Sequence, residues 1–182
     1  MSSTAIVIAA LVGIIGIAAV LGYNTIVRAK VAVEAAWAQI EVQLKRRYDL
    51  VPNLVETVKG YATHEKSTFD AVTTARANAI NASGPAASAA ADNMLTGALK
   101  SLFAVSEAYP DLKASTNFLA LQEELTSTEN KVAFARQYYN DSARRLNTML
   151  ATFPLMLFKS VAAPAEFFSA PDDAAQAPTV SF

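Results

Sequence analysis

His64 stands beside Glu65, a pairing that in zinc hydrolases contributes a metal ligand and a general base. That chemistry needs a second histidine one helical turn away, and His64 is the only histidine in the chain. A serine nucleophile would need the same imidazole as its base, in a context that nothing around His64 suggests. With six glycines, half of them in the first 22 residues, no glycine-rich phosphate loop can be built. The absence of cysteine removes disulfides, thiolate metal sites and thiol nucleophiles. His64 therefore reads as a surface residue, and no catalytic group, cofactor or metal is implied. Any activity would have to show itself on substitution of His64 or of the Asp49 and Glu56 carboxylates.

Two polar constellations remain. Lys45-Arg46-Arg47-Tyr48-Asp49 is a dense basic cluster on a helix of otherwise mixed composition. It either meets anionic lipid headgroups or forms a solvated face paired with acids of a neighbouring helix, such as Glu107, Glu123 or Glu124. The lipid role suffers from distance: the cluster starts 23 residues past the apolar N-terminal stretch, about 35 Å along a straight helix. The second constellation is Glu129, Arg136, Asn140 and Asn147, which run beside an apolar seam at helical spacing. It is either an ordinary flanking face or, with Arg46, Arg47 and Asp49, a polar interface that sets register between helices or subunits. The formal net charge of −1 offers no surplus for neutralising phosphates, which argues against nucleic acid as a partner.

The elements that must position these residues are helical throughout. Ala5 to Gly22 carries no charge in 18 residues, about 27 Å of helix against a hydrocarbon layer of roughly 30 Å. Tyr23 falls where an interfacial aromatic is expected, followed by Arg28 and Lys30. Met1-Ser2-Ser3-Thr4 lacks the positive charge of a signal peptide's first region, so the stretch reads as a retained anchor. With basic residues only on its C-terminal side, the positive-inside rule places the following domain in the cytoplasm. Ala5, Ala9 and Gly13, with Ala18 and Gly22, form rows of small residues that permit close helix packing in a bilayer, although such residues are common in any membrane helix.

Beyond the anchor, apolar residues recur at alternating spacings of three and four: Trp37, Ile40, Leu44, Tyr48, Val51, Val55, Val58. The stripe holds its phase across Pro52, which predicts a kink there rather than a terminus. It continues more weakly through Ala62, Phe69, Val72 and Ala79 and stops at Ser83-Gly84-Pro85. A second helix is predicted over Ala86 to Ala108, ended by Tyr109-Pro110. A third, over Ser115 to Phe153, carries the seam Phe118, Leu121, Leu125, Thr128, Val132, Ala135, Tyr139, Ser142, Leu146, Met149 and Phe153, closed by Pro154. The expected fold is all-α: a transmembrane helix, then an antiparallel bundle of about three long helices, the first kinked near Pro52. The domain limits that follow are a short segment over 1–4, the transmembrane helix over 5–23, the helical domain over 24–160 and an Ala/Pro-rich tail over 161–182. The tail's composition is that of a disordered segment, with Phe167, Phe168 and Phe182 as aromatic anchors for a neighbouring subunit.

Several long motifs are shared with a known family. Tyr23-Asn24, the stretch from Ala36 to Glu56 containing Lys45-Arg46-Arg47-Tyr48-Asp49-Leu50-Val51-Pro52-Asn53-Leu54, and Val58-Lys59-Gly60-Tyr61-Ala62 resemble the LemA family. So do Glu107-Ala108-Tyr109-Pro110-Asp111-Leu112-Lys113-Ala114, Asn117-Phe118, Thr128-Glu129-Asn130-Lys131, Tyr139-Asn140, Asn147 and Phe153-Pro154. The resemblance covers nearly the whole chain except the tail. It implies one membrane helix and an antiparallel helical domain, without an assigned activity. Some family members are tied to magnetosome membranes, which fits a membrane-organising role. Others carry a lipoprotein cysteine before the Tyr-Asn pair, where this chain has Leu21-Gly22. The function expected is that of a non-enzymatic structural protein of the bacterial inner membrane, in contact with lipid and self-associating as a homo-oligomer. The alternative is a monomeric adaptor or accessory subunit for another membrane protein, such as a protease or a signalling receptor.

Overall fold

The computed structural model describes residues 2–168. Among them every regular element is helical: α1 (Ser3–Lys59), α2 (Lys66–Asn81), α3 (Pro85–Ser106), α4 (Pro110–Lys113) and α5 (Thr116–Ala151), then a 3-10 turn over Leu155–Phe158. The chain divides into two compact units, Met1–Ala36 with Tyr138–Glu166, and Trp37–Gln137 with Phe167–Phe182.

In the first unit the sequence changes character at Gly22. Before it, apolar residues from Ile6 to Leu21 point all round the helix and stand 54–67% exposed where they are large. From Gly22 onward only one stripe is buried, through Ile26, Val33 and Ala36 at spacings of three, four and seven. An all-round apolar helix has no preferred soluble partner, whereas a single stripe demands one. Ala143, Leu146 and Leu150 of α5 are buried in this same unit.

In the second unit the buried stripe of α1 runs Ile40, Leu44, Arg47, Val51, Leu54 and Val58. Each large apolar member contributes roughly 1.5–3 kcal/mol by leaving water. The helix passes through Pro52 without ending. It ends at Lys59, and the weaker stripe expected to prolong it to the Ser83 breaker is a separate helix. Gly60, the poorest helix former after proline, opens the turn that divides them, and Ala62 plugs that turn at 0% exposure. The first unit of sequence pattern is thus two helices, α1 and α2, because phase can be kept across a turn that the pattern alone does not reveal.

α2 and α3 pack on one another across Ala82-Ser83-Gly84. Gly84 takes φ 83°, the left-handed region that glycine enters without penalty. Pro85 then starts α3, where its missing N–H costs nothing. Phe69, Val72, Ala75 and Ala79 of α2 and Leu95, Leu99 and Leu102 of α3 bury the facing stripes.

Along α5 the seam is buried at Phe118, Leu125, Val132, Tyr139 and Leu146, and half-buried at Leu121. Its companion row drifts. Thr128 is buried early in the helix, but later Ala143 and Leu150 are buried in place of Ser142 and Met149. A straight helix of 3.6 residues per turn slips about 20° per heptad against a strict seven-residue repeat, and the drift is that slip. Phe153 is a correction. The helix ends at Ala151, so helical phase no longer turns Phe153 inward, and it is 78% exposed.

Candidate functional site: the anchor and a buried ion pair

α1 contains the one stretch among the described residues that is long and apolar enough to cross a membrane, with a mean hydropathy of 2.8 over its best 18 residues and 6% of that window buried. Of the residues expected in the anchor, Ala9 and Gly13 are exposed, and a methyl group added at Gly13 would meet nothing within 4 Å. Ala5 is half-buried and Tyr23 is 50% exposed. Gly22 does not belong to an open row of small residues. It is buried beneath Phe158, and a methyl group there would come within 2.5 Å of the ring.

The second unit holds the polar centre. Arg47 lies on the buried stripe of α1, its side chain 4% exposed. Its Nη1 donates to both carboxylate oxygens of Asp92 on α3, at 3.1 and 3.0 Å. Nη2 donates to Thr96 Oγ1 at 3.0 Å and lies 3.8 Å from Glu129 on α5. Thr96 in turn donates to the Asp92 carbonyl, which fixes its rotamer. Burial pushes the Asp92 carboxyl above its ordinary range; the Arg47 guanidinium opposes that rise and the Glu129 charge adds to it. Arg47 Nε, Gln43 Oε1 one turn earlier and the Tyr48 hydroxyl are buried with no hydrogen-bond partner among the described residues. Burial likewise raises the Tyr48 phenol well above its usual value, so it stays protonated.

The basic cluster therefore splits three ways. Lys45 pairs with Asp49 along the exposed face of α1 at 2.7 Å. Arg46 reaches Glu124 of α5, one of the acids expected to answer it. Arg47 is no surface residue at all, because in the phase of α1 it stands between Leu44 and Val51 on the buried stripe. Asp92 and Thr96 were the residues that sequence reasoning missed. Asp92 lies in helical phase with Leu95, Leu99 and Leu102, and a charge in such a row is the signal that could have found it.

The members of the polar row of α5 meet different groups within the chain. Glu129 faces Arg47, and Arg136 lies close enough to draw down the Asp92 carboxyl. Asn140 is half-buried. Asn147 holds the chain's own following segment: its Nδ2 donates to the Ala165 carbonyl at 2.9 Å and its Oδ1 accepts from the Ala165 N–H at 2.8 Å. The Tyr139 hydroxyl donates to the Glu166 carbonyl at 2.7 Å. Residues 165–166 are thus strapped to α5 within one chain. In the other unit Phe168 is buried, its ring 6.2 Å from that of Trp37, which is itself half-buried. Phe167 is 44% exposed, and Phe182 lies outside the described residues.

His64 is exposed in the turn after α1, and Glu56 pairs with Lys59 as Asp49 does with Lys45. Among the described residues no three His, Asp or Glu side chains converge to hold a metal ion.

Comparison with known proteins gives these features a family. The sequence profile of the LemA family matches residues 36–182. The chain belongs to the LemA family. Magnetosome protein MamQ 1 of Paramagnetospirillum magneticum is 27% identical over 158 residues, which takes in 72% of this chain and 58% of that protein. Magnetosome protein MamQ of Magnetospirillum gryphiswaldense is 26% identical with the same coverage. Protein LemA of Metamycoplasma hominis is 27% identical over 134 residues, 71% of this chain and 60% of its own length. The chain thus spans less than two thirds of the length of these curated relatives. Asn147, Tyr139, Arg47 and Asp92 all fall in the part that the family profile covers.

Proposed function

We propose that this LemA-family chain is a membrane-anchored, non-enzymatic structural protein of the bacterial inner membrane, whose helices form an antiparallel bundle that self-associates into an oligomeric scaffold. The anchor is the uncharged part of α1, and the positive-inside rule orients the helical domain towards the cytoplasm. The observation that supports self-association is a pair of large apolar side chains left exposed on one face of α5. Phe134 is 74% and Leu119 49% exposed, and both border a groove of about 630 Å³ floored by Gln122, Thr126 and Asn130. The face between them is polar, and an exposed ring as large as that of Phe134 is the kind of anchor around which an interface is built. Lipid and a second copy of the chain are the partners this reading requires, and the relatives named for magnetosomes agree with a role at an internal membrane.

Native mass spectrometry of gently extracted full-length protein, with electron-microscope imaging, tests it. The expected result is a closed or filamentous homo-oligomer that Phe134→Glu disperses. A monomer in both detergent and lipid nanodiscs refutes the scaffold, and a stoichiometric complex with one other membrane protein replaces it with the adaptor. Sidedness follows from single cysteines at Ser3 and Ser127 and a membrane-impermeant thiol reagent on intact spheroplasts. Labelling of Ser127→Cys there overturns the cytoplasmic assignment.

A further inference from the structure

The end of α5 is followed by an apolar run whose large side chains are mostly left exposed by the described residues. Phe153-Pro154-Leu155-Met156-Leu157-Phe158 follows the helix after Thr152. Phe153 is 78%, Leu157 69% and Met156 43% exposed. A water-facing turn of this composition would be an aggregation hazard. Its position gives the reason for it. Phe158 rests on Gly22, at the C-terminal end of the continuous apolar stretch of α1, and a glycine leaves room for that ring. Val20 and Leu21, immediately before the contact, stand 60 and 61% exposed on the span itself. The Gly22–Phe158 contact therefore sets the turn beside the end of the apolar stretch, at the level of these exposed side chains.

We infer that Phe153–Phe158 is a second membrane contact, a short apolar foot that lies in the lipid interface beside the end of the span. The inference rests on the anchor reading of α1. Its backbone suits such a place: Met156 N–H donates to the Thr152 carbonyl at 2.8 Å, Leu157 N–H to Pro154 at 3.2 Å and Lys159 N–H to Met156 at 3.3 Å. Local satisfaction of these groups is what a water-poor layer demands. Lys159, exposed directly after the foot, and Arg28, six residues beyond Gly22, supply the cations that meet anionic headgroups. The foot therefore ties the end of α5 to the bilayer independently of the covalent anchor, and a chain held at two points cannot swivel freely about its span.

The chain's lack of cysteine makes the test direct. Full-length Ile14→Cys, Leu157→Cys, Phe153→Cys and Ser127→Cys variants, each labelled with an environment-sensitive fluorophore, are reconstituted into phosphatidylcholine–phosphatidylglycerol vesicles containing lipids with a shallow nitroxide quencher. Labels at Leu157 and Phe153 should emit blue-shifted light and be quenched several-fold more strongly than Ser127, with Ile14 also dry. A wet Leu157 and Phe153 beside a dry Ile14 overturns the foot and leaves the anchor standing. A dry but unquenched foot shows that a second copy covers it, which equally overturns the lipid assignment. A wet Ile14 removes the anchor reading, and the foot with it.

Discussion

Replacing Asp92 by alanine strips a buried guanidinium of its main counter-charge. The Arg47 and Asp92 side chains are 4% and 8% exposed, so solvent screens the pair little. Removing one partner of such a pair typically costs about 3–5 kcal/mol, because the other charge stays buried and uncompensated. Thr96 still accepts one hydrogen bond from Arg47, and Glu129, 58% exposed at 3.8 Å, can lend part of its charge. The lower end applies, about 3 kcal/mol, which for a unit of roughly 100 residues lowers Tm by about 12 °C or more. Circular dichroism at 222 nm on the full chain in dodecyl maltoside reads this directly. Arg47→Met with Asp92→Leu removes both charges and should regain most of the loss, since apolar replacement of a whole buried pair is often neutral. An Asp92→Ala protein melting within a couple of degrees of its parent would refute the claim that the pair is buried and mutually dependent. The pH dependence has a definite sign. Burial raises the Asp92 carboxyl above its ordinary 3.8, so just above that pH the folded chain keeps a proton that the unfolded chain has lost. The group's contribution is fully present below the unfolded value and is lost as pH rises through the folded one. Asp92→Asn should abolish that fall.

Leu125→Asp or Leu146→Asp puts an unpaired carboxylate on the buried seam, where the leucines are 4% and 2% exposed. Either should cost more than about 4 kcal/mol, and an unchanged melt would mean that the seam is misplaced. Asn147→Ala removes both bonds to Ala165. It should make residues 163–168 several-fold more sensitive to limited proteolysis while α5 keeps its helicity, and unchanged cleavage would show that the strap is held elsewhere. Pro52→Ala, at an exposed position within α1, should keep or raise the melting temperature, since proline costs up to about 3 kcal/mol inside a helix. Loss of helicity would show that Pro52 starts an element of its own.

Most of the helices were legible in the sequence because their signal is local. Gly84-Pro85 and Tyr109-Pro110 restrict backbone angles wherever they stand, and the boundaries of α3 follow within two residues of expectation. The uncharged run to Gly22 announces an apolar helix by composition alone. The seam of α5 was readable at Phe118, Leu125, Val132, Tyr139 and Leu146 since helical period and burial agree there. Period could not say that Lys59-Gly60 ends one helix, because α2 resumes in a phase compatible with α1. It could not say that Phe153 lies beyond the last helical turn.

Other features needed the fold. Arg46 and Arg47 are identical letters side by side, yet a 100° turn of the helix sends one to Glu124 at the surface and the other to Asp92 in the core. Asp92 is 45 residues from Arg47, Ala165 is 18 from Asn147, and Phe158 is 136 from Gly22. The type of each residue says that it wants a partner: a buried charge, an amide, a ring against a glycine. Which partner it meets depends on the path of the backbone between them, because desolvation and hydrogen bonding act over a few ångströms in space without regard to distance along the chain.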